Sequence, residues 1–447
     1  MTQLRLIQKF DLTTMDVFRK SFSSMLVKGL GMVAGIGVSI FLGQTLGAEG
    51  LGIINLSKRI AGLLLILAIF GFKHAIVKHV AIAKRKNDYL RISAYINTSV
   101  RFNGLLAIAI SLIGILLAGY LSEHIFKEPN LRFPFIIFFS LIIPQTISRI
   151  FSAALQGAGR IWQSQLVNAT LSTWITAICL LSFYITGIEI SIRNVAIAYA
   201  IGRVIVALVM MGYWHYSKPY KTINWRESRF PELFTMAKPL LLVSATTIIA
   251  GNADSIMLGW LCDVTDVGIY SIALRVGFLT SFFLQASNAA ISPKIAALFA
   301  NGEKERLRTL VQQVTAALTL VGFVSLIVFI VLGNQILALW GNEFTAAYIP
   351  LVILSVGQFI NISTGCSGLL IIMCGYEKYQ SYISIISVVA NIILNYFMII
   401  HYGITGAAIA TAITVAGENI IKIIIAKRKV GILTTPLLFN RSDSNQE

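Results

Sequence analysis

Apolar runs long enough to cross a bilayer follow one another from residue 24 to residue 426, and this succession constrains the chain more than any motif in it. A helix needs about 20 apolar residues to cross the hydrocarbon core, where the backbone finds no partner but itself, so such runs fold as helices. They lie near 24–47, 52–72, 94–121, 132–155, 162–186 and 194–216, then near 239–262, 267–290, 308–333, 346–373, 379–401 and 404–426. The expected fold is all-α, an integral membrane protein of about a dozen transmembrane helices. With 12% of its residues charged, the chain falls far below the roughly 25% of soluble domains. The longest polar gap, 217–238, is too short to bury a core of its own. The expected organisation is a cytoplasmic amphipathic lead (1–23), a six-helix lobe (24–216), a cytoplasmic linker (217–238), a second six-helix lobe (239–426) and a cytoplasmic tail (427–447). The lead carries Arg5, Lys9, Arg19 and Lys20 without a cleavage site after a short apolar core, and is expected to be retained.

Charge sets the orientation. Lys and Arg number 36 against 19 Asp and Glu, a formal net charge of +17. The basic residues form no continuous stripe on a soluble domain, which argues against nucleic acid as a partner. With the amino terminus inside, the inward loops collect Lys84, Arg85, Lys86, Arg91, Arg160, Lys304 and Arg306 among others, whereas the outward loops hold only Lys127, Arg132 and Arg193. The positive-inside rule then places both termini in the cytoplasm. It accounts for most of the excess, and an acidic substrate would account for the remainder. The four cysteines and five histidines make no ligand spacing, so no metal, cofactor or catalytic group is expected.

The chain repeats. A shift of 216 residues pairs Leu42-Gly43 with Leu258-Gly259, Gly52-Ile53 with Gly268-Ile269, Arg59 with Arg275, Gly159 with Gly375 and Gly187-Ile188 with Gly403-Ile404, without a gap. Each copy holds an even number of spans, so the copies have parallel topology, and transporters of this kind bind substrate between their repeats.

Charges inside spans are costly and commonly functional. Lys28, Lys58, Arg59, Arg149, Arg203 and Arg275 stand within spans or near their ends. Arg59 and Arg275 occupy equivalent places in the two repeats and suit a hydrated space between the lobes; a guanidinium fork there would favour phosphate. Alternatively, they hold helices together through carbonyl contacts. Asp254 is read as an ion-pair partner of these arginines or as an ion-coupling carboxylate. Ser281, Gln285, Asn288 and Ser292 form one polar stripe, a candidate cavity wall. Asn391 and Asn395 suit interhelical hydrogen bonding, and Glu418 with Lys422 suits an i, i+4 ion pair. Gly31/Gly35 and Gly43/Gly47 read as close-packing pairs.

The run Leu42-Gly43, Leu46-Gly47-Ala48-Glu49-Gly50-Leu51-Gly52-Ile53, with Gly71 and Lys78 after it, resembles the amino-terminal signature of bacterial polysaccharide-repeat flippases of the O-antigen type. These form the polysaccharide-transporter branch of the MATE-like (MOP) superfamily. Asp254, Leu258-Gly259, Val267-Gly268-Ile269-Tyr270 and Arg275 resemble the same family's seventh-to-eighth helix segment. The resemblance implies two six-helix lobes in the inner membrane and transfer of an undecaprenyl-diphosphate-linked sugar unit for surface polysaccharide assembly. It also implies membrane lipids, a polysaccharide polymerase and a chain-length regulator as partners. Lys28, Lys58, Arg59 and Arg275 are the first candidates to hold the diphosphate because they fall on helices resembling the family's cavity-lining ones, with Arg149 and Arg203 behind them. A MATE-type drug or cation antiporter is the competing reading, although it would favour an acidic or aromatic cavity. A membrane polysaccharide polymerase or glycosyltransferase would carry a larger outward loop than any found here.

Overall fold

The computed structural model describes residues 2–216 and 230–435, and every regular element among them is a helix. The expected linker up to residue 229 and the tail beyond 435 lie outside the described residues, as do the side chains of Arg5, Lys9, Arg19 and Lys20 in the lead. The elements are α1 (Thr2–Ile69), α2 (Phe72–Arg85), α3 (Tyr89–Tyr120), α4 (Arg132–Ser140), α5 (Ile142–Gly157), α6 (Ile161–Gln165), α7 (Leu171–Ile185), α8 (Ile192–Tyr216) and α9 (Phe230–Ala250). They continue with α10 (Ala253–Leu261), α11 (Val264–Gly277), α12 (Leu279–Ala300), α13 (Lys304–Ala338), α14 (Tyr348–Ser363), α15 (Ser367–Met373) and α16 (Glu377–Val430).

Among the described residues eight helices are long and apolar enough to cross a membrane, and the number rises to ten if each of two bent pairs, one around Leu171 and one around Phe278, counts as one span. Two of the eight, Ser23–Ile69 and Glu377–Val430, are 47 and 54 residues long, about 70 and 80 Å at helical rise, more than twice a hydrocarbon core. Each is broken at one glycine, Gly47 (φ 68°) and Gly403 (φ 54°). The expected twelve spans require each to count as a pair. Gly47 is thus a turn residue, where the sequence pattern read it as half of a packing pair; an L side chain is strained at that φ. The packing reading does hold at Gly31, where a Cβ would meet Thr170 Oγ1 at 2.7 Å.

The repeat is written into the backbone. Gly159 and Gly375 have φ of 77° and 83°, and Gly187 and Gly403 have φ of 73° and 54°. The helices after the first pair begin at Ile161 and Glu377, the same 216 residues apart.

Packing divides the described residues into two units, one running from Arg19 to Asn252 and the other comprising the helix before Arg19 together with the chain from Ala253 onward. The two units meet between Asn252 and Ala253, inside the expected seventh span (239–262). The reason is local. The helix stops at Ala250, turns through Gly251 and Asn252, and restarts as α10. Before that break α9 is held in the first unit, where Leu233 and Ala237 join Phe72, Ile76, Ile150, Val206 and Met210 in one buried core. Phe230 and Phe234 stack on each other at 4.9 Å and flank Phe102 and Phe70. In the second unit Ile295, Leu307, Val311, Leu370, Ile371 and Ala426 form the corresponding core.

At one end of α9 the Tyr95 hydroxyl donates to Glu232 Oε2 at 2.6 Å, and the His79 ring lies 4.8 Å from that of Tyr95. Burial pushes the His79 pKa below its ordinary value, the Glu232 carboxylate pulls it up, and the Lys78 ammonium lowers it further. The unfolded chain therefore takes up this proton first as pH falls. Stability contributed by neutral His79 is complete above about pH 6.5 and is lost as pH drops toward the folded-state pKa. The thermal midpoint of the purified protein is expected to fall between pH 7 and 5, and to fall less in His79→Gln. Equal slopes in the two proteins would show that another group is responsible.

Candidate functional site

Lys58 stands on the arm of α1 that follows the Gly47 turn, half-buried, with its ammonium 4.1 Å above the centre of the Tyr199 ring. Such a contact places the cation against a negative ring face. Tyr199 and Arg203 are one turn apart on α8 and share a face. Arg203 Nη1 donates at 3.3 Å to the carbonyl of Asn168, which lies in a π-helical turn, Leu166–Thr170, just before α7. Wide turns of this kind free carbonyls from the helical ladder.

Arg149 on α5 lies within electrostatic reach of Arg203, and Lys73 on α2 within reach of Arg149, so these groups repel one another. Among the described residues Arg149 makes no hydrogen bond or ion pair, and neither it nor Arg203 has a carboxylate partner. The ion pairs found among these residues include Arg91–Asp88, Arg132–Glu123, Arg306–Glu303 and Lys422–Glu418, none of them in this group. Half-buried like charges held together without a counter-charge are unfavourable, and an arriving anion relieves that cost.

The other expected site residues sit as follows. Arg59 Nη1 donates to the Gly251 carbonyl (3.0 Å) and to Asn252 Oδ1 (3.4 Å), so it caps the broken end of α9; this is the carbonyl contact that sequence left as the alternative. Lys28 is exposed on α1 and Arg275 is half-buried on α11. Asp254 is buried on α10, its Oδ2 accepting from the Tyr270 hydroxyl at 2.9 Å and its Oδ1 from the Ser255 amide at 2.8 Å. On α12, Gln285 Nε2 reaches Ser281 Oγ at 3.5 Å, and Asn288 Oδ1 is buried without a partner. Asn391 Nδ2 donates to Thr414 Oγ1 at 3.1 Å, across the Gly403 turn, so the interhelical reading holds for Asn391, whereas Asn395 Nδ2 donates to the Asn391 carbonyl (2.9 Å) and Oδ1 (3.0 Å) one turn back on its own helix. Lys422 and Glu418 pair at 2.7 Å, also as expected.

Sequence ranked Arg149 and Arg203 below the repeat-related arginines and missed Tyr199 and Asn168 altogether. The 216-residue shift carried no signal for them, since neither arginine is matched by a basic residue in the second copy.

Residues 17–299 match the family model described as polysaccharide biosynthesis protein, and residues 239–397 match that of MatE. A relative from Haloferax volcanii, the probable low-salt glycan biosynthesis flippase Agl15, is 25% identical over 91% of this chain and 83% of its own. The fold is that of an inward-facing multidrug resistance MATE family transporter of the MOP superfamily, with a TM-score of 0.75 at 15% identity over 91% of this chain and 94% of the other. It is also that of the lipid II flippase MurJ in an inward closed conformation, with a TM-score of 0.72 at 13% identity over 91% and 87%. The family match spans more than half of the chain and the fold agrees along nearly all of it: this multi-pass membrane protein belongs to the polysaccharide biosynthesis protein family, with the fold of the MOP transporters.

Proposed function

We propose that the chain is a flippase that moves an undecaprenyl-diphosphate-linked oligosaccharide repeat unit from the cytoplasmic to the outer leaflet by alternating access, supplying O-antigen or another surface polysaccharide. The observation that carries this is the group of Lys58, Arg149 and Arg203, whose two arginines lack a carboxylate partner among the described residues. A diphosphate offers the oxygens that planar guanidinium forks bind in pairs. The names of the glycan flippase relative and of the lipid II flippase fold support a lipid-linked saccharide as cargo. In this reading Ser281, Gln285 and Asn288 meet the glycan, Lys28, Arg59 and Arg275 assist at the phosphates, and Asp254, held by Tyr270, is the coupling carboxylate. The protein acts in the inner membrane with both termini cytoplasmic, beside a polymerase and a chain-length regulator.

The test is transport in vesicles containing the purified chain and a fluorescent undecaprenyl-diphosphate oligosaccharide. Appearance of the sugar at the opposite leaflet, with no movement of the same glycan on an uncharged lipid, is the expected result. Efflux of a cationic dye without movement of the diphosphate lipid would establish the antiporter reading in its place.

A further inference from the structure

The outward loops hold only Lys127, Arg132 and Arg193 as basic residues, against the prevailing inward bias. Arg132 and Arg193, 61 positions apart, line one cavity of about 340 Å³ together with Asn130, Phe133, Ile136 and Ile192. That volume falls within the roughly 300–1,000 Å³ typical of sites for small ligands. Arg132 opens α4, and Arg193 lies in the first turn of α8.

Neither arginine is used up by the protein. The Arg193 guanidinium stands 5.4 Å from the centre of the Phe133 ring and has no carboxylate partner among the described residues. Arg132 approaches Glu123 only to 3.8 Å, with both side chains at least half exposed, so little energy opposes a competing anion. The wall beside them is apolar. Two forks above Phe133, Ile136 and Ile192 match an amphiphile whose head is an anion and whose first carbons are greasy, and at a helix end near the bilayer surface such a molecule is a lipid.

We infer that this cavity is a binding site for the phosphate head group of a membrane lipid on the side opposite the basic loops. The inference uses the orientation proposed above and does not require that the chain transport anything. Two lipids carry this chemistry, a resident anionic phospholipid and a polyprenyl diphosphate that has just crossed.

The test places a photoreactive benzoylphenylalanine at Asn130 in the full chain. The protein is reconstituted in vesicles of phosphatidylethanolamine, phosphatidylglycerol and diacylglycerol doped with a polyprenyl diphosphate, and the cross-linked lipids are identified by mass spectrometry. A phosphate lipid is expected in the adduct, and Arg132→Gln with Arg193→Gln is expected to cut its yield roughly tenfold, about what 1.4 kcal/mol of lost affinity gives. The yield of diacylglycerol adduct should not change, which controls for folding, and Lys84→Gln with Lys86→Gln should leave both yields alone. A fall confined to the diphosphate assigns the cavity to delivered cargo, and a fall confined to phosphatidylglycerol assigns it to resident lipid; either supports the site. Unchanged phosphate-lipid yield in the double variant overturns it. Transport measured on the same vesicles reports on the flippase reading separately, since either result can fail without the other.

Discussion

Replacing Arg149 and Arg203 together by glutamine is expected to lower transport of a diphosphate-linked oligosaccharide on the order of a hundredfold or more, while leaving the thermal midpoint unchanged or raising it. The two effects have opposite signs for one physical reason. Without cargo these groups repel each other and have, among the described residues, no carboxylate to offset their burial, so neutral amides remove a cost from the resting state. When the cargo is present the same guanidiniums each supply charge-assisted hydrogen bonds worth about 1.5–3 kcal/mol. Losing two sets gives the stated loss in rate or affinity. Lysine at both positions keeps the charge and loses the planar fork, and an intermediate value is expected. A double variant that melts earlier and transports less would mean that the arginines hold helices together through contacts such as Arg203 to the Asn168 carbonyl. Undiminished transport would remove them from the site.

The outcome shows which layers of this protein could be read from residues alone. The all-α membrane character and the repeat were legible because lipid forces every crossing segment into a long apolar helix, and because turns that need positive φ mark themselves with glycine, as at Gly159 and Gly375. Local i, i+4 chemistry was legible too, as in Glu418 with Lys422. The particular partners of Arg59, Arg203 and Asp254 were not. Each depends on which faces of separate helices meet. Spacing along one helix says nothing about a carbonyl 192 positions away, where Arg59 finds Gly251, or about the Tyr270 hydroxyl that holds Asp254. Which unit α9 packs with was not legible either, for a related reason. The polar stretch before α9 looks like a linker, but a break at Gly251 and Asn252 and a phenylalanine cluster decide which unit the helix joins.

Gly71 tests that last point with the largest stability effect expected in the molecule. It lies between α1 and α2 with φ 74°, and a Cβ built there would collide with the Ala237 carbonyl oxygen and stand 2.8 Å from the Leu241 amide nitrogen of α9. Two costs add in Gly71→Ala. The left-handed backbone costs an L residue about 1–2 kcal/mol, and the clash is with backbone, so no rotamer change relieves it and α9 must move off α2. Gly187→Ala separates the two, because Gly187 has a similar φ of 73° and nothing within 4 Å of its Cβ. Gly187→Ala is expected to lose only the backbone strain and remain folded. Gly71→Ala should cost roughly 3–5 kcal/mol, in the range of severe core disruptions, and appear as poor accumulation in the membrane or a much lower midpoint in detergent. Its damage should concentrate on α9, read as faster hydrogen exchange in Phe230–Ala250 than in the helices of the second unit. Equal losses in the two variants would mean that the close approach of α9 to Gly71 contributes nothing, and that the first half of the seventh span is not held where the aromatic cluster places it.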